Sequence, residues 1–183
     1  MIVYTQSTQL SDLQGIMDLQ MENRETSISA EELKQEGFVT VVHTLELLEQ
    51  MNTPHPHTVA KEGDLVVAYV LTMLQSMQER IPILEPMFGQ INSLSYRGDV
   101  LKDANYFVIG QCCVKKGYRG QGVFRGLYEK MRKNLSPHFK YVITEIATRN
   151  PRSIRAHEKM GFKVIHEFED ATDHWVIVLW DWR

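Results

Sequence analysis

The sequence predicts an α/β (α+β) chain built on a mixed central β-sheet flanked by helices. Two observations predict it. Apolar periodicity gives elements in the order β-α-α-β-β-β-α-β-α-β-β, in which hairpins and helical crossovers are mixed. Near the middle, Val114 to Tyr128 reads as a strand end, a glycine-rich turn and a helix start. A length of 183 residues fits one domain, 1–183, with a sizeable core.

Ile2 to Gln6 is short and β-rich, a first strand. Leu10, Leu13, Ile16, Met17 and Met21 then recur at helical spacing to about Asn23, with Ser11-Asp12 at the start. A polar stretch follows, with a short helix at Ala30–Glu36 closed by Gly37 and an apolar strand or loop at Phe38–His43. Thr44 caps a helix whose face is Leu45, Leu48 and Met51. The prolines of Asn52 to His57 mark a loop. Thr58–Lys61 and Leu65–Leu74 form a hairpin about Glu62-Gly63-Asp64. The second run is almost wholly apolar, as in a strand buried on both faces. Residues 76–103, with Pro82, Pro86, Gly89 and Gly98, read as an irregular pocket-shaping insertion with a short helix at Pro86–Asn92.

Ala104–Val114 is the next strand. The helix after the turn carries Phe124, Leu127, Tyr128, Met131 and Leu135 on one face and stops before Pro137. Tyr141–Ala147 is a strand. Asn150-Pro151 then starts a helix, with asparagine as cap and proline at the first position, and it ends at Gly161. Phe162–Phe168 and Trp175–Trp182 are two last strands about an Asp170–Asp173 turn.

A net charge of −3 excludes a general affinity for nucleic acid or anionic membrane. Cys112 and Cys113 are neighbours on one strand and face opposite ways, so they do not pair. Without a disulfide framework or an apolar leader, the cytoplasm is expected. His55-Pro-His57 lacks a carboxylate or cysteine partner pattern, so no metal is expected.

Chemistry concentrates in the glycine-rich turn. Gly117, Gly120 and Gly122 sit among Lys115, Lys116, Arg119 and Arg125. Glycine lets a ligand approach the backbone, and a helix start offers N–H donors and positive potential. The combination suits a phosphate or pyrophosphate. A nucleoside-triphosphate loop has the Gly117–Gly122 spacing but needs Lys-Ser/Thr where Val123-Phe124 stand. A dinucleotide fingerprint would need glycine at Arg125, and Gly126 comes one place late.

Arg119-Gly-Gln-Gly-Val-Phe124 resembles the Q/R-x-x-G-x-G/A motif of the GNAT superfamily of N-acetyltransferases. Asn150-Pro-Arg-Ser-Ile-Arg-Ala-His-Glu-Lys-Met-Gly-Phe162 resembles that family's N-x-x-[AS]-x-x-x-[YH]-E-x-x-G-F. One helix and one strand separate the two, as in the family. The resemblance covers Tyr106 to about Phe168.

What it implies is a splayed sheet with acetyl-CoA as cosubstrate between the strand ending at Val114 and the strand Tyr141–Ala147. Backbone groups of Cys112, Cys113 and Val114 would hold the pantetheine arm. Arg119, Gly120, Gln121, Gly122, Val123, Phe124 and Arg125 would hold the pyrophosphate, and Asn150, Ser153 and His157 would touch the cofactor. Phe124 departs from the motif's small residue; it either joins the apolar stripe or reshapes the groove. His157 stands where many relatives carry an acidic tyrosine; it either packs or hydrogen-bonds the leaving thiolate.

Glu145, beside the expected cleft, is the candidate base, unless it is merely solvated. The strand Tyr106–Val114 lacks the glutamate some relatives carry there, and Gln111 could orient a water instead. Phe38, Val39, His43 and the insertion would line the acceptor pocket. The expected activity is direct acetyl transfer to a primary amine of a small molecule or peptide. The alternative is a non-catalytic acyl-CoA-binding or regulatory module on the same fold. A homodimer through exposed apolar edges stays open.

Overall fold

A computed structural model describes residues 1–24 and 41–183. The helix expected at Ala30–Glu36, Gly37 and the pocket residues Phe38 and Val39 lie outside them. Seven strands run in the hydrogen-bonded order β1-β2-β3-β6-β7-β9-β8, mostly antiparallel, with flanking helices. Here β1 is Ile2–Gln6, β2 Thr58–Glu62, β3 Leu65–Met73, β6 Tyr106–Val114, β7 Tyr141–Ala147, β8 Lys163–Glu169 and β9 His174–Asp181. Two compact units are distinguished, one of residues 1–72 and 109–135, the other of 73–108 and 136–183.

In the first unit, β1 pairs antiparallel with β2 and β2 with β3. Every residue of β3 after Leu65 is buried, which is why its sequence is nearly continuously apolar. Helix α1, Leu10–Asn23, buries Leu13, Ile16 and Leu19. Its first turn is fastened by Asp12, which accepts from the amides of Thr8 and Gln9 at 3.1 and 3.2 Å. Asp12 also pairs with Lys61 of β2 at 2.7 Å. Gly15 is required by contact, since a Cβ there would lie 2.6 Å from Val66 Cγ2. Helix α2, Leu45–Met51, is capped as expected: Thr44 Oγ1 accepts from Leu47 N–H at 3.2 Å. Residues 41–43 carry no regular structure.

The loop before β2 is more than a connection. His57 is fully buried. Its Nδ1 accepts from the Thr72 amide at 3.1 Å, so Nε2–H donates to Leu48 O at 3.2 Å. The ring thus joins α2 to β3.

In the second unit, residues 75–103 are more regular than the sequence predicts. They form 3-10 turns at Gln75–Arg80 and Pro82–Leu84, helix α3 at Glu85–Ser93, a hairpin of β4 (Ser95–Tyr96) with β5 (Asp99–Val100), and a 3-10 turn at Leu101–Asp103. Pro82 and Pro86 sit in the first turns of helices, where a missing N–H costs nothing. Pro86 opens the short helix that the sequence predicts at Pro86–Asn92, and Pro82 opens a 3-10 turn within a stretch that reads as irregular.

Strand β6 pairs in parallel with β7 over Tyr106–Val108. β7 pairs antiparallel with β9 along its whole length, and β9 with β8 through a bulge at Val164/His166. The core of this unit is an aromatic chain. Phe162 contacts Trp180 at 5.3 Å between centroids, Trp180 contacts Trp182 at 5.5 Å, and Trp182 contacts Phe107 at 5.7 Å. No described helix is long and apolar enough to cross a membrane.

Candidate active site

In the first unit the predicted cofactor residues follow one another along β6, its turn and helix α4 (Val123–Leu135). Beyond the buried run Tyr106–Ile109, Gly110, Gln111, Cys112 and Val114 are only half-buried. The turn depends on backbone geometry. Gly117, Gly120 and Gly122 have φ of 91°, 74° and 81°, a region that side chains rarely adopt. A Cβ on any of the three would meet nothing within 4 Å, so conformation rather than crowding demands glycine. Gly126 N–H closes on Gly122 O at 3.0 Å, and the amides of Val123, Phe124 and Arg125 lie ahead of the helical ladder.

The cations are largely turned to protein partners. Arg119 Nε–H donates to Val114 O at 2.8 Å and its Nη2 to Asn23 Oδ1 at 2.7 Å. Lys115 forms an ion pair with Glu22, and Arg125 pairs with Glu129 at 2.9 Å. Gln121 Nε2 donates to Gly117 O at 2.5 Å, bracing the turn across itself. Phe124 stacks on Tyr128 at 4.2 Å, as its place on the apolar stripe of α4 requires.

The thiols beside the turn are poor nucleophiles. Burial pushes both Cys112 and Cys113 up to about 12. Tyr128 hydrogen-bonds the Cys112 thiol and Arg119 lies near Cys113, but neither offsets burial. Gln111 is occupied: Tyr69 Oη–H donates to its Oε1 at 2.5 Å and its Nε2 donates to Val41 O at 2.7 Å. His43 is buried, held by Gln20 through its amide at 2.9 Å and its Nδ1 at 3.1 Å. Burial depresses its pKa to about 4.

In the second unit, Asn150 and Ser153 stand at the start of helix α5, Pro151–Met160, and His157 lies one turn beyond Ser153, in the helix's last turn. Asn150 Oδ1 caps the helix by accepting from Ser153 N–H at 3.1 Å, with Pro151 in the first turn. His157 Nδ1–H donates to Ser153 O at 2.8 Å. Burial lowers its pKa to about 4, which the Ser153 bond only partly opposes. The ring is neutral near pH 7, and its single proton lies on Nδ1. It stands edge-on to Phe162 at 5.0 Å. Gly161 closes the helix at φ 104°, its N–H bonded to Glu158 O and the Phe162 N–H to His157 O.

Glu145 is half-buried on β7, opposite Ile177 of β9. Burial, then the nearby Asp170 carboxylate, raises it to about 8. Among the described residues no cation pairs with it. Asp170 itself is held down at about 2 by hydrogen bonds from Thr172. No group of three metal-ligating side chains occurs among the described residues.

Asn23, Glu22, Gln20 and Tyr69 carry no motif, and sequence reasoning passed over them. Each acts on a partner at least 23 residues away, so no local pattern announces them.

The sequence matches the family model described as "Acetyltransferase (GNAT) family" over residues 15–162. The chain belongs to the GNAT acetyltransferase family. Solved structures agree on the GNAT fold. The ribosomal-protein-S18-alanine N-acetyltransferase from Escherichia coli is 12% identical with a TM-score of 0.64, over 99% of this chain and 94% of that one. Arabidopsis thaliana NAA60 in complex with acetyl-CoA is 16% identical with a TM-score of 0.62, over 99% of each chain. PH1933 from Pyrococcus horikoshii OT3 is 18% identical with a TM-score of 0.64, over 100% and 99%. No curated protein matches by sequence. The positive-φ glycine turn and the Asn150-capped helix are the two segments whose sequences resemble the GNAT motifs, each folded locally as its residue types require.

Proposed function

We propose that the protein is an acetyl-CoA-dependent N-acetyltransferase that acetylates a primary amine of a small molecule or peptide by direct transfer. The observation that carries this is the turn Gly117–Gly122, whose three positive-φ glycines present backbone amides at the start of α4 in a GNAT chain. Those amides, from Arg119 to Arg125, hold the pyrophosphate. Backbone groups of Cys112, Cys113 and Val114 hold the pantetheine by hydrogen bonds. The cosubstrate supplies an activated acetyl thioester.

Glu145 accepts the proton of the attacking amine. A carboxyl raised to about 8 is well matched to that task near neutral pH, where its basicity is higher than an ordinary carboxylate's. The Val114 N–H donates to the carbonyl oxygen as it gains charge; the C–N bond forms, the C–S bond breaks, and CoA leaves as the thiolate, which takes up a proton from water. His157 acts by position, because its one proton is committed to Ser153 O. The high pKa values of Cys112 and Cys113 favour direct transfer over a covalent acyl-enzyme.

The test is thiol release from acetyl-CoA against a panel of small amines and amine-terminated peptides. Turnover with at least one class, abolished when that amine is blocked, supports the reading. A non-catalytic acyl-CoA-binding module is the second reading, favoured by the committed proton of His157. Binding of acetyl-CoA without thiol release across the panel would select it.

A further inference from the structure

We infer that Asn23, the last residue of α1, is a positioning residue that sets the cofactor turn through Arg119, so that the end of α1 and the turn bind acyl-CoA as one piece. This rests on the acyl-CoA reading above. All the residues concerned lie in the first unit.

Asn23 is only 5% exposed. Its Nδ2 donates to Leu19 O at 2.9 Å, which fixes the amide so that Oδ1 faces Arg119 Nη2 at 2.7 Å. The same guanidinium spends its Nε–H on Val114 O at 2.8 Å. One rigid, permanently charged fork therefore ties the last carbonyl of β6 to the last residue of α1. The Lys115–Glu22 pair joins the turn itself to α1 beside it.

The turn needs such a tie. Its three glycines offer no side chains for packing, and the positions where Cβ atoms would project are empty to 4 Å. Glycine also has the largest conformational freedom to lose when a ligand orders it. A turn held in place by Arg119 has lost part of that freedom already, and this raises affinity. Arg119 recognises no anion in this scheme. It is oriented by Asn23 and orients the backbone that does.

The discriminating experiment is calorimetric titration of the full chain with CoA in three forms: wild type, Asn23→Leu and Asn23→Asp. Leucine keeps the volume and removes the acceptor. Aspartate keeps an acceptor for Arg119 and loses the donor to Leu19. Asn23→Leu is expected to weaken CoA binding about tenfold, the effect of losing one charge-assisted hydrogen bond. Asn23→Asp is expected to stay within about threefold of wild type. In turnover, the loss should fall on the KM for acetyl-CoA and leave the KM for the amine unchanged.

A purely packing role predicts the opposite order, with a buried carboxylate worse than leucine; that order, or equal affinity in all three forms, overturns the inference. If Asn23→Leu does not fold, hydrogen exchange on the wild type decides. CoA should slow exchange at Leu19–Arg24 together with 115–124, and protection confined to the turn overturns the inference. Absence of CoA binding by the wild type would instead overturn the acyl-CoA reading, and this inference with it.

Discussion

Gly126 lies against Tyr4 so closely that a Cβ on the glycine would sit 2.4 Å from the tyrosine Cζ. Helix α4 therefore rests on β1 backbone to ring, and no larger residue fits. Alanine at an ordinary helix position would stabilise by about 0.5–1 kcal/mol. Here Gly126→Ala should destabilise by about 1–3 kcal/mol through overpacking. Urea unfolding measures the change, and Tyr4→Leu in the same chain should recover part of it.

Glu145→Gln should lower kcat about a hundredfold or more while leaving CoA affinity unchanged. The wild-type rate should rise with pH along a limb centred near 8, because the base must lose its proton. The stability sign is opposite. A carboxyl raised from its ordinary value of 4.5 contributes stability below that pH, and the contribution is lost as pH rises through about 8. Glu145→Gln should therefore be more stable than wild type at pH 8.5, by roughly 1–3 kcal/mol, while being nearly inactive.

Three buried histidines set the acid limit. Burial lowers His57 to about 3, and His43 and His157 to about 4. Each contributes stability that is present above the unfolded value of 6.5 and lost as pH falls towards the folded value. Each slope is up to about 1.4 kcal/mol per pH unit, and three together exceed the opposing gain from Glu145. The urea midpoint should fall steeply between pH 6.5 and 5, and a flat profile there would contradict the neutral, buried assignment.

Direct transfer makes a separate prediction about the cysteines. Incubation with acetyl-CoA and no amine should leave no acetyl adduct on Cys112 or Cys113 by intact-mass and peptide mass spectrometry. A stoichiometric thioester on either would replace direct transfer with a two-step route.

What the sequence made legible is what is encoded locally. α1 and α5 were bounded correctly because apolar spacing, Asn150-Pro151 and Gly161 each act within a turn or two. The turn of β6 was legible because glycines at 117, 120 and 122 have one conformational reason to cluster. What stayed hidden is carried by distant pairs. Arg119 and Asn23 are 96 residues apart, and only the fold assigns the arginine to a helix end. His57 looked like a loop histidine until Leu48 and Thr72 took both ring nitrogens. Pro82 hides its 3-10 turn for a different reason, since proline both breaks helices and begins them, whereas Pro86 marks the start of a helix the sequence does predict.

The most direct test of the central claim is a thermal-unfolding titration with acetyl-CoA, with ATP and NAD as controls. The melting temperature should rise at micromolar acetyl-CoA or CoA and scarcely move with either control. No shift with acetyl-CoA and CoA, or a larger one with ATP or NAD, would contradict it.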